Sequence, residues 1–178
     1  MLSGNLILLT MIKKLLFYSL IIIAFLIAVF FLFPKNVVEI KSIDDNKTLA
    51  IKEYSDGDML EFSYIHSVSK TPITEFLEII PDGFMLRKVI YEDQGGAGMP
   101  EYASGNQEFY VDEDGKFVID GFTRHFDSID INVQEKYNDK IRINEKTIDL
   151  YSICEKDCSI SILQSIKINL MVIIYKNK

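Results

Sequence analysis

Two side chains in this sequence have the types and placement to hold a small ligand or share a proton: His66 and Glu75. They fall on two alternating apolar runs, residues 59–68 and 73–80, joined through Ser69-Lys70-Thr71-Pro72. A two- or four-residue loop puts Ser69 opposite Pro72 and Val68 opposite Ile73, so His66 faces Glu75. Tyr64 then lies opposite Leu77 and Phe62 opposite Ile79. Because side chains alternate across a strand, Leu60, Phe62, Tyr64, His66 and Val68 share an apolar face with Ile73, Glu75, Leu77 and Ile79. A carboxylate beside an imidazole favours the imidazolium, and burial opposes it. Such a pair serves either as a polar anchor or proton-handling pair at a ligand site, or as a structural pair that sets the hairpin register.

A glycine-rich loop, Gly95-Gly96-Ala97-Gly98, follows further on. It lacks the third glycine of a dinucleotide fingerprint and the Gly-Lys pair of a phosphate loop. It could still gather backbone N–H groups into an anion nest, with Lys70 and Arg124 as charged partners. The alternative is a tight loop that binds nothing. Ser67 adjoins His66 in sequence, but neighbours on a strand point to opposite faces, so His66 is a poor base for it. Ser104 sits in Tyr-Ala-Ser-Gly, which is not a nucleophile elbow. His66 and His125 precede Cys154 and Cys158 at a spacing unlike a zinc finger, and no metal site is expected. In an oxidising compartment the two cysteines form a small disulfide; in a reducing one they stay free. Asp112-Glu113-Asp114-Gly115 reads as a hairpin turn, because the calcium-ligand ladder does not continue.

These residues must be positioned by strands. Residues 37–43, 48–53, 84–91, 108–111, 116–120, 129–134, 140–143 and 147–153 read as further short strands, and Arg124-His125-Phe126 as the start of another. The expected fold is a mostly β, antiparallel sandwich or barrel-like domain. A terminal strand is expected within residues 160–175, where Ile166, Ile168, Leu170, Val172 and Ile174 alternate.

The N-terminal part differs in kind. Residues 15–33 carry no charge and span roughly the hydrocarbon core of a bilayer at about 1.5 Å per residue. Lys13 and Lys14 precede them, which places residues 1–14 in the cytoplasm, makes 15–33 a transmembrane signal anchor and leaves 34–178 as an extracytoplasmic domain. The first 33 residues carry two lysines and no acid. The remainder holds 17 basic and 26 acidic side chains, so the body carries −9 and the whole chain −7. An acidic body without a basic stripe argues against nucleic acid as a partner.

Tyr64-Ile65-His66-Ser67-Val68, Lys70-Thr71-Pro72, Glu75 and Gly96-Ala97-Gly98-Met99-Pro100 together resemble the signature of the bacterial domain of unknown function 1850 over residues 37–160. That family often carries two cysteines near its end, where Cys154 and Cys158 lie. The resemblance implies an exported or anchored protein found alongside TRAP-type transporter components of the TAXI class, which import small organic acids. It implies no catalytic role. The expected function is a membrane-anchored accessory that binds a small organic anion, a TAXI/TRAP permease or its binding protein, without a cofactor. The expected ligand site comprises His66, Glu75, Lys70, Ser67, Thr71, Gly96, Gly98 and Arg124. A hydrolase or isomerase using a His66–Glu75 acid–base pair and a purely structural interaction domain are the alternatives.

Overall fold

The computed structural model describes residues 2–92, 103–154 and 156–176. It divides into two compact units, residues 36–166 and a smaller unit of residues 1–35 with 167–178.

The larger unit is a sandwich of two antiparallel sheets and not a closed barrel. One sheet has four strands in the order β2 (Thr48–Glu53), β1 (Pro34–Ser42), β11 (Cys158–Ile168) and β8 (Ser128–Val133). The other has seven: β10 (Lys146–Asp149), β9 (Lys140–Ile143), β3 (Met59–Ile65), β4 (Pro72–Ile80), β5 (Gly83–Tyr91), β7 (Phe117–Phe126) and β6 (Glu108–Val111). Alternation along the strands sends Leu60, Ile73, Leu77, Ile79, Phe84, Tyr91, Ile119 and Ile141 inward, where they meet Val38, Ile40, Ile160 and Ile162 in one core. The expected segments recur closely because turn chemistry punctuates them. Asp112, for example, accepts hydrogen bonds from the backbone N–H groups of Asp114 (3.0 Å) and Lys116 (2.9 Å), closing the β6–β7 hairpin.

Gln164 ties the two sheets together, and two glycines shape the seven-stranded sheet near the site. Gln164 on β11 donates to the carbonyls of Ile80 (2.6 Å) and Gly83 (2.7 Å) at the β4–β5 turn. Gly83 holds φ at +144°, and a Cβ there would come within 2.3 Å of the Phe126 carbonyl oxygen, so only glycine allows β7 to pair so closely. On β7 the register shifts, with Arg124 paired to Leu86 and Asp120 to Lys88. Gly121, at φ +85°, supplies the bend.

Three expectations need correction. Residues 147–153 do not run on as a strand: β10 ends at Asp149 and a short helix α2 (Leu150–Cys154) follows. Arg124-His125-Phe126 ends β7 and does not begin a strand. The terminal strand stops at Ile168, and Asn169–Lys176 forms a helix, α3. Alternation misread this stretch because its apolar residues also satisfy a helix, and the residue that breaks the strand, Asn169, has its partner far away in sequence. Cys154 and Cys158 are disulfide-bonded, joining the end of α2 to the start of β11.

The smaller unit is built on helix α1 (Leu2–Leu32), within which Met11–Leu32 is long and apolar enough to cross a membrane. From Leu15 on its side chains are exposed and mostly apolar, as in Leu20, Phe25 and Leu32. A single candidate membrane helix of this kind fits a single-pass or signal-anchor protein. In the same unit, the backbone N–H of Asn169 donates to the Phe33 carbonyl (2.9 Å) and its Nδ2 to the Phe30 carbonyl (3.2 Å).

Candidate functional site

The register of β3 against β4 decides the site. Ile65 pairs with Pro72, Tyr64 with Ile73, Phe62 with Glu75 and Leu60 with Leu77. The connection is therefore six residues long, 66–71, and each residue's cross-strand partner is displaced by four positions from the expected pairing. An even displacement keeps every side chain on its expected face. Glu75 does lie on the apolar inner face, but its cross-strand neighbour is Phe62 and not His66. The acid–base pair expected of His66 and Glu75 is not formed, and a hydrolase or isomerase built on their contact finds no support in this geometry.

The six-residue turn consumes its own polar groups. His66 Nδ1 accepts from the Ser69 backbone N–H (3.2 Å) and lies 3.1 Å from Ser69 Oγ, which is itself 2.8 Å from Thr71 Oγ1. The His66 N–H donates to the Thr71 carbonyl (2.9 Å), and the Lys70 N–H to the His66 carbonyl (3.1 Å). Lys70 adopts φ +61° and sends Nζ back to the Ser67 carbonyl. These local bonds offer the backbone an alternative to the ladder and end the strand early. His66, Ser67, Lys70 and Thr71 are thus together, in the turn. Gly96 and Gly98 lie outside the described residues, as does the whole Gly-rich loop through Pro100.

Glu75 has a different partner. Tyr64 Oη donates to its Oε1 at 3.0 Å, a diagonal contact across the two strands. The pair lies against a cavity of about 180 Å³ whose other walls are Ile73, Val89, Tyr91, Ile119 and Phe122, the last carried by the β7 bulge. This is below the usual range of about 300–1,000 Å³ for drug-sized ligands, so it suits a small molecule or one end of a larger one. Burial raises the Glu75 carboxyl above its ordinary value, while the Tyr64 hydrogen bond and the Arg124 charge pull it down. Burial also raises the Tyr64 hydroxyl, reinforced by the Glu75 and then the Asp139 carboxylates. Arg124 is exposed on β7, its guanidinium carbon 4.8 Å from the Phe126 ring centre.

Asp139 was not among the expected residues. It immediately precedes β9, whose Lys140 pairs with Ser63, which brings it beside Tyr64. It is only 3% exposed, and its Oδ2 has no hydrogen-bond partner among the described residues. Burial raises its carboxyl, backbone bonding at Gln134 opposes this, and the Asp149 charge adds to it. Tyr64 could have been found from sequence, since it shares the face of Glu75. Asp139 carried no such signal, because its place depends on β9 pairing with a strand far earlier in the chain. Among the described residues no group of three or more His, Cys, Asp or Glu side chains could hold a metal ion.

The model of a family described as a domain of unknown function (DUF1850) matches residues 60–150, just over half of the 178 residues. The chain belongs to the DUF1850 family. No curated protein and no solved structure matches it. The DUF1850 span is narrower than the expected 37–160, and it runs from β3 to the first residue of α2. It therefore contains the His66 turn, the Tyr64–Glu75 pair, Arg124 and Asp139, while α1, the disulfide and α3 lie outside it.

Proposed function

We propose that this DUF1850 chain is a membrane-anchored extracytoplasmic domain that binds a small organic acid and serves as an accessory of a TAXI/TRAP-type solute transporter. The observation that carries the binding reading is the small apolar cavity lined by the hydrogen-bonded Tyr64–Glu75 pair inside the family-matched span. Burial raises the proton affinity of the Glu75 carboxyl; in its protonated form it donates a hydrogen bond to a ligand carboxylate, and the Tyr64 hydroxyl supplies a second donor once it leaves Glu75. Arg124 contributes positive charge toward Glu75, and Val89, Ile119 and Phe122 cover the hydrocarbon part of the ligand. The link to a transporter rests on the resemblance to TAXI-associated proteins, and co-purification of the full chain with a TAXI permease is its test.

The binding reading is tested by titrating short-chain carboxylates at several pH values. Affinity should fall as pH rises through the raised Glu75 value, because the donor proton is lost. Glu75→Gln should keep binding and flatten that dependence, since the amide still donates. Tyr64→Phe should weaken binding about tenfold, the loss expected for one hydrogen bond to a charged group. Affinity that rises with pH and disappears in Glu75→Gln would mean a cationic ligand and overturn the organic-acid reading.

A further inference from the structure

Helix α3 presents two unlike faces. Val172 is 2% exposed and Asn169 6%, whereas Leu170, Met171 and Ile174 are 41%, 37% and 47% exposed. At helical spacing these three aliphatic residues fall within an arc of about 100° that holds no charge. The helix has eight residues and is about 12 Å long, too short for a crossing of about 30 Å. Its first residue is fastened to the last turn of α1, through the Asn169 bonds to Phe33 and Phe30. The side chains at that end, Phe30 and Leu32 of α1 and Phe33 just after it, are exposed and apolar too, so the bare face of α3 continues the bare surface of α1.

We propose that α3 is an interfacial membrane helix, with Leu170, Met171 and Ile174 inserted at the headgroup–acyl boundary of the leaflet that receives the end of α1. The inference rests on the membrane-anchoring reading of α1. If α1 lies in hydrocarbon up to Leu32, a helix bonded to the Phe33 carbonyl starts at the edge of that layer. A short, aliphatic-faced helix there is covered by lipid without any further partner.

The chain contains no tryptophan, so one introduced indole is an unambiguous reporter. The full chain is placed in nanodiscs of phosphatidylcholine and phosphatidylglycerol, with or without bromine on the acyl chains. Phe25→Trp reports on α1, and Leu170→Trp and Ile174→Trp report separately on the free face of α3. Both α3 reporters should emit at shorter wavelength than free indole and lose about half their intensity to chains brominated near the headgroup. Phe25→Trp should be quenched most by chains brominated deep in the layer. If Phe25→Trp escapes quenching, the anchoring reading itself fails. If Phe25→Trp is quenched while both α3 reporters are not, the interfacial helix is overturned, and blue-shifted emission in that case assigns the face to a second copy or another protein. Should one α3 variant misfold, the other decides.

Discussion

Burial raises the proton affinity of the Glu75 carboxyl, and the Tyr64 hydroxyl and the Arg124 charge oppose it. Asp139, beside Tyr64 and nearly inaccessible, is raised by burial as well. Both carboxyls therefore favour the folded state most when protonated. Their contribution is complete below the ordinary values of 4.5 and 3.8 and is lost as pH rises through the raised folded values. Unfolding by denaturant across this range should show wild type losing stability with increasing pH, and Glu75→Gln losing less. The opposite ordering, with Glu75→Gln the steeper, would mean that Glu75 is stabilised as the carboxylate. Tyr64→Phe removes the hydroxyl that donates to Glu75 Oε1 and leaves a half-buried acceptor short of a partner, so it should cost about 1–3 kcal/mol in the same measurement. A neutral Tyr64→Phe would show that water replaces the hydroxyl freely.

The β3–β4 hairpin shows at the scale of elements what could be read from sequence and what could not. The alternation of Leu60, Phe62 and Tyr64 and of Ile73, Glu75 and Leu77 identifies the buried face, because burial acts on each strand separately. It cannot identify the register, since any even slip satisfies the same pattern. Register is set by the turn, and this turn is longer than the common ones because Ser69, Thr71 and His66 bond to one another. Strand β2 was legible to the residue, bounded as it is by Asp44-Asp45-Asn46 and by the Ser55–Asp58 turn, where Asp58 accepts from the Ser55 N–H at 2.9 Å. α3 was not, because what stops β11 is a pair of hydrogen bonds from Asn169 to carbonyls at the end of α1. The turn also makes a prediction of its own. His66→Ala deletes the acceptor of the Ser69 N–H and should lower stability by about 1 kcal/mol, while leaving carboxylate affinity unchanged. Lost affinity at unchanged stability would restore His66 to the ligand site.

For the whole molecule the decisive quantity is the distribution of charge. Lys13 and Lys14 are the only charged residues among the first 33, and the rest of the chain is strongly acidic. Basic residues at the near end of an apolar span are retained on the cytoplasmic side, because moving them across costs more than leaving them. Acidic residues beyond the span contribute little to that choice, so the two lysines carry it. The disulfide between Cys154 and Cys158 is what the proposed extracytoplasmic placement would allow, since such bonds persist outside the reducing cytoplasm. Protease added to intact spheroplasts should therefore digest the β-domain and leave a short membrane-protected fragment. In the double variant Lys13→Glu, Lys14→Glu, part of the population should become protected, because the retention signal is gone while the span is intact. Full protection of the wild-type domain until lysis would place it in the cytoplasm. The cavity at Tyr64 and Glu75 would then face cytoplasmic solutes, and an accessory role in capturing solutes from outside would no longer follow.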